Sequence, residues 1–149
     1  MRIPNNAIPS EEGLTYLNRS EAKLLGFDED GNKCNAYVYL KPYDHNFECF
    51  SSWTPSELKE FTDFVNRLRQ CSWTNIYKSG GGYKKTSFGY TIHRNWDLLP
   101  NQKLRDTLSP DMTLFELRVS QKLRVHGYRS KAAFCLIWLD REHGIYKRK

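Results

Sequence analysis

The chain has 149 residues, of which 39% are hydrophobic, 27% charged and 14% aromatic. That length suits one domain around one core, and that composition excludes a disordered chain, while the lack of any run of about 18 apolar residues excludes a membrane-spanning helix. The net charge of +6 is regional: residues 1–63 carry 6 Lys and Arg against 11 Asp and Glu, net −5, and residues 64–149 carry 17 against 6, net +11. A cationic region of that size points to a polyanion or an acidic protein as partner.

Residues 1–13, "MRIPNNAIPSEEG", read as a poorly ordered lead-in, because their prolines, the Asn pair and Gly13 favour turns. "SEAKLLG" suits a short helix capped by Ser20 and stopped at Gly26, and "NAYVYLKP" a strand through Tyr37, Val38, Tyr39 and Leu40. The strongest helix signal is "TPSELKEFTDFVNRLRQ". Thr54 is its N-cap, Pro55 fits its first position and Glu57 completes a capping box. Leu58, Phe61, Val65 and Leu68 then line one face, broadened by Phe64. "WTNIYK" predicts a second short helix ending at Gly80–Gly81–Gly82.

Residues 80–111 are less regular, with a strand in "TSFGYTIH" and a short helix in "NQKLRDTL". Three strands follow. "TLFELRV" and "KLRVHGYR" alternate, whereas "AAFCLIWL" is apolar on both faces, as at a sheet centre. Connections at Ser120–Gln121 and Ser130–Lys131 are short enough for hairpins. The expected class is α+β: an antiparallel sheet of three to five strands with two helices packed on one face, in a single domain over residues 1–149.

Period-two geometry sorts the side chains. Phe115, Leu117 and Val119 share one face with Leu123 and Val125, leaving Glu116, Arg118, Arg124, His126 and Tyr128 together on the other, outward face. One reading is an ordinary solvent face with cross-strand ion pairs. The other is chemical, since a carboxylate, guanidiniums, an imidazole and a phenol are the groups that acid–base cleavage of a phosphodiester uses. "DREHGIYKRK" brings His143, Tyr146, Lys147 and Arg148 to the rim of that face, either as a frayed basic tail or as a docked one. "SGGGYKKT" lacks the spacing and context of a phosphate-binding P-loop. It is either a plain surface loop or one that sets Lys84 and Lys85 against RNA phosphates with Tyr83 on a base. His93 and Arg94 are open to either use, and His45 beside Asp44 reads as structural.

Cys34, Cys49, Cys71 and Cys135 form no C-x-x-C pair and meet no paired histidines, so no metal and no cofactor is expected and the thiols read as reduced. The start of the chain has no signal-peptide core. The expected location is cytoplasmic, away from any membrane.

The order of strand, helix pair and antiparallel meander, with Arg124–Val125–His126–Gly127–Tyr128–Arg129 in a middle strand and "WLDREHGIY" after it, resembles the RelE/ParE superfamily of bacterial toxins over residues 54–149. The first fifty residues would be an N-terminal extension, and residues 80–111 are long for the family. The resemblance implies a toxin of a toxin–antitoxin system, a metal-independent endoribonuclease that cleaves mRNA, often on the ribosome, by attack of a 2′-hydroxyl on the adjacent phosphate. It implies Glu116 as general base, Arg124 and Arg129 as phosphate clamps, and His143 with Tyr146 as terminal acid and base-stacking pair, with His126 competing for the acid role. Arg118, Tyr128, Lys147 and Arg148 would join Tyr83, Lys84 and Lys85 in holding RNA. It also implies an acidic antitoxin. The ParE branch has the fold without the ribonuclease activity, so a non-catalytic protein binding a protein or nucleic acid in phage defence or regulation is the alternative.

Overall fold

The structure is a computed structural model and describes residues 32, 34–79 and 87–145. The expected lead-in, the helix at 20–26 and the triple-glycine loop lie outside the described residues. So do Tyr83, Lys84, Lys85, Tyr146, Lys147 and Arg148.

The fold is α+β. Five strands, β1 (Tyr37–Tyr39), β2 (Thr91–Ile92), β3 (Phe115–Arg118), β4 (Arg124–Ser130) and β5 (Ala133–Asp140), form one sheet in the order β1-β5-β4-β3-β2. The pairs β2–β3, β3–β4 and β4–β5 are antiparallel, the last two as their short hairpin connections require. The expectation of a wholly antiparallel sheet is corrected at its edge: β1 pairs parallel to β5, with Val38 opposite Phe134. A parallel pair needs a long crossover, and nearly the whole described chain lies between these two strands.

One face is covered by α1 (Pro55–Leu68) and α2 (Trp73–Lys78). α1 starts where its sequence says it should: Thr54 Oγ1 accepts from the Glu57 amide at 3.1 Å, and Glu57 Oε1 accepts from the Thr54 amide at 2.8 Å. Phe64 and Leu68 of α1 and Trp73 and Ile76 of α2 are fully buried, against Phe115, Leu117, Val125, Phe134, Leu136 and Leu139 of the sheet. Each such side chain stabilises the fold by about 1.5–3 kcal/mol. Leu58 departs from the predicted stripe and stays exposed.

The opposite face was expected to meet solvent, and it does not. The segment after β2 crosses it through a turn at Trp96–Leu98 and the helix α3 (Gln102–Thr107). Leu99 packs there with Leu114, Ile137, Trp138 and Ile145, joined by Trp96, Leu104, Leu108, Met112 and Tyr128. Asp44 pins this layer: its amide donates to the Ile137 carbonyl at 2.8 Å, and its carboxylate accepts from Trp138 Nε1 at 3.1 Å and from Asn101 Nδ2 at 3.0 Å.

Ile137 is an extra residue. Its neighbours Leu136 and Trp138 sit opposite Gly127 and His126, so β5 carries a β-bulge there. The bulge shifts the side-chain parity: Phe134 and Leu136 face the helices, but beyond it Leu139 does, and Trp138 and Asp140 turn to the other face. Gly127 is required at this point, because a Cβ would lie 2.0 Å from the Cys135 carbonyl oxygen.

Candidate functional site

The bulge decides which groups meet on the second face. Glu116 of β3 and His126 of β4 are direct cross-strand partners, as are Arg124 of β4 and Asp140 of β5. His93 extends the β2 ladder by donating its amide to Leu114 at 2.8 Å, which puts it beside Glu116 on the same face. Five charged or titratable side chains from four strand segments therefore converge.

They form two linked chains. In the inner one, His93 Nε2 lies 2.8 Å from His126 Nδ1, and His126 Nε2 lies 2.8 Å from Asp140 Oδ2. Asp140 also accepts from the amides of Gly144 at 2.8 Å and Ile145 at 3.1 Å. Burial pushes the Asp140 carboxyl up, but the hydrogen bond to His126 and those two amides outweigh it and hold the group below the usual carboxylate range. Asp140 is thus an anion that accepts from His126 Nε2, which leaves Nδ1 of that ring with its lone pair toward His93.

In the outer chain, Glu116 Oε2 meets His143 Nε2 at 2.9 Å and Arg124 Nε at 3.5 Å. Glu116 Oε1 is buried with no hydrogen-bond partner among the described residues. The Arg124 guanidinium also donates through Nη1 to the carbonyls of Ser120, Gln121 and Leu123, tying down the β3–β4 turn. Burial lowers its pKa and the Glu116 carboxylate opposes that shift. His143 stands in a turn after β5 with φ 53°, and its side chain is 39% exposed, against 4% for Glu116 and 0% for His126. The site therefore opens at His143, where Lys122 pairs with Glu142 at 3.6 Å and Arg118 reaches Ser87 at 3.0 Å.

Measured against the sequence, Glu116, Arg124, His126 and His143 are brought together, and Arg118 borders them as the cross-strand partner of Arg124. Two expectations are corrected. Glu116, Arg124 and His126 are buried rather than outward in solvent, because the segment through α3 covers their face. Arg129, expected beside Arg124 as a second phosphate clamp, is instead on the helical face, 5.1 Å from the Trp73 ring centroid and bonded to the Tyr77 hydroxyl. Tyr128 packs into the second apolar cluster and borders a groove of about 620 Å³ with Tyr77, Tyr90, Met112 and Arg129. One residue was missed and the sequence leaves one open. Asp140 was hidden by parity, since only the bulge turns it toward His126, and His93 carried the weak signal of closing a strand-like run.

No helix among the described residues is long and apolar enough to cross a membrane. No protein family, curated protein or solved structure matches the chain.

Proposed function

We propose that the chain is a RelE-like endoribonuclease toxin that cleaves mRNA without a metal, acting at the exposed edge of the polar face. The observation that carries this reading is the 2.9 Å contact between half-exposed His143 and buried Glu116, on a carboxylate oxygen shared with Arg124. A buried carboxylate on one ring nitrogen fixes an imidazole's orientation, leaving the second nitrogen for proton transfer. In this role Glu116 is a positioning residue, since its burial keeps RNA from touching it. His143 Nδ1 takes the proton of a 2′-hydroxyl as that oxygen bonds to phosphorus. The P–O5′ bond breaks, water protonates the departing 5′-oxygen, and a 2′,3′-cyclic phosphate and a 5′-hydroxyl end result. Arg118 and Lys122 at the opening supply the charge that draws in the phosphate, and Arg124 behind them balances Glu116. The succession of helix pair and antiparallel β3–β4–β5 meander supports the family reading. An acidic antitoxin would cover this same cationic edge, and the ribosome would present the message to it.

The commitment of Arg124 to three backbone carbonyls favours a second reading, a non-catalytic binder of the same fold. Purified protein incubated with end-labelled RNA and ribosomes in EDTA separates the two. The ribonuclease is expected to yield cyclic-phosphate ends, and His143→Ala to slow cleavage by about 10²–10⁴-fold. RNA left intact by the wild type, or cut at full rate by His143→Ala, would leave only the binder.

A further inference from the structure

We propose that His93, Glu116 and His126 form a binding site for a divalent transition-metal ion of the Zn²⁺ and Co²⁺ class. Each residue offers one ligand atom, and the three atoms lie within 4.8 Å of one another. They come from three neighbouring strand segments, so the sheet rather than a loop sets their spacing. Two imidazoles and one carboxylate make a donor set for Zn²⁺, Co²⁺ or Fe²⁺, whereas Ca²⁺ and Mg²⁺ take oxygen ligands alone.

Three further features suit an ion better than a plain buried network. His126 already has the partner that orients a metal-bound histidine, because Asp140 accepts from its Nε2 and leaves Nδ1 as the ligand atom. Glu116 keeps its Oε1 buried without a hydrogen-bond partner among the described residues, a desolvated acceptor that an ion would satisfy. The ring nitrogens of His93 and His126 are 2.8 Å apart, and two nitrogens bound to one ion at about 2.0–2.1 Å sit about 2.9–3.4 Å apart. Loading therefore asks only a small widening of that pair, with the His93 proton moving from Nε2 to Nδ1. Three protein ligands leave a fourth position for water or another ligand.

An ion on Oε1 would draw charge from the carboxylate whose Oε2 meets His143. If the ribonuclease reading above holds, metal loading slows cleavage.

The test titrates Co²⁺ into the chelator-stripped full-length protein without RNA. Visible absorption bands of a nitrogen- and oxygen-ligated ion are expected at one equivalent, without a thiolate charge-transfer band, together with a rise in Tm and displacement by Zn²⁺. His93→Gln and Glu116→Gln, each checked for folding by circular dichroism, are expected to lose both the bands and the Tm rise, while His143→Gln keeps them. Absence of one-equivalent binding by the folded wild type, or bands that survive in both His93→Gln and Glu116→Gln, would overturn the site. A wild type that binds Co²⁺ and cuts no RNA supports the site and sinks the ribonuclease reading, so the two fail separately.

Discussion

The two faces of the sheet are both buried, yet they are built from different chemistry. On the helical face, Phe61, Phe64, Phe88, Trp73, Phe115 and Phe134 stack in tilted and edge-on pairs with centroids 5.5 to 6.0 Å apart where they meet, and the guanidiniums that reach them, Arg67 over Phe88 at 5.4 Å and Arg129 over Trp73 at 5.1 Å, lie on ring faces. On the other face a patch of apolar packing around Trp138 and Leu99 adjoins Glu116, His126 and Asp140, which are as buried as the phenylalanines. Apolar burial is non-directional and tolerant, whereas buried charge is stable only with its partners in place. The first face holds the fold, and it thereby permits the second to keep groups that would be costly in a small core of their own.

The largest expected effect tests that division directly. Phe134→Ala removes a fully buried ring from the centre of the helical face and is expected to cost about 3–5 kcal/mol in urea unfolding. A loss below about 1 kcal/mol would mean that the aromatic face is not what holds the sheet to α1 and α2.

The second expectation concerns Asp44, which anchors the covering layer through polar links. Burial pushes its carboxyl up, but hydrogen bonds from Asn101, Asn46 and Trp138 outweigh this and hold it below its ordinary value of 3.8. A group whose pKa is depressed on folding stabilises fully above the unfolded value and loses that contribution as pH falls through the folded value. Asp44→Asn sets an amide N–H₂ or a neutral oxygen against these donors and is expected to cost about 1–3 kcal/mol at pH 7. The gap between wild type and variant should close as urea midpoints are followed from pH 6 down to about pH 2. A gap independent of pH would show that packing of Trp138, and not the carboxylate's charge, secures the layer.

The helical face was legible in the sequence because its signals are local. Thr54, Pro55 and Glu57 announce α1, and the period of Phe61, Phe64, Val65 and Leu68 names its buried side. Alternation in β3 and β4 also put Glu116, Arg124 and His126 on one side correctly. Their exposure was misread, although "AAFCLIWL" held the contrary sign: a strand apolar on both faces must be covered on both, and Ile137 and Trp138 needed a second layer. Leu99, Leu104, Leu108 and Met112 supply it, from a segment in which the short helix was legible but the strand face it covers was not. The bulge at Ile137 has no local signature except Gly127, which sits on the neighbouring strand. Asp140 and the parallel pairing of β1 depend on contacts distant in sequence, and period-two counting cannot register them.

The smallest effect sharpens the comparison most, because it acts on one face and reads out on the other. Thr54→Ala removes the N-cap of α1 and is expected to cost about 1 kcal/mol. Glu57, the other half of the capping box, also receives Arg141 Nε at 3.1 Å, and Arg141 follows Asp140 at the end of β5. The cap is thus two residues of chain away from His143. If the faces are energetically separate, Thr54→Ala should lower the urea midpoint and leave the pH profile of RNA cleavage and the one-equivalent Co²⁺ binding unchanged. A change in either would mean that the Glu57–Arg141 pair transmits the position of α1 to the turn carrying His143. Arg141→Lys would then have to reproduce the change, since it loosens that forked contact and leaves the cap intact.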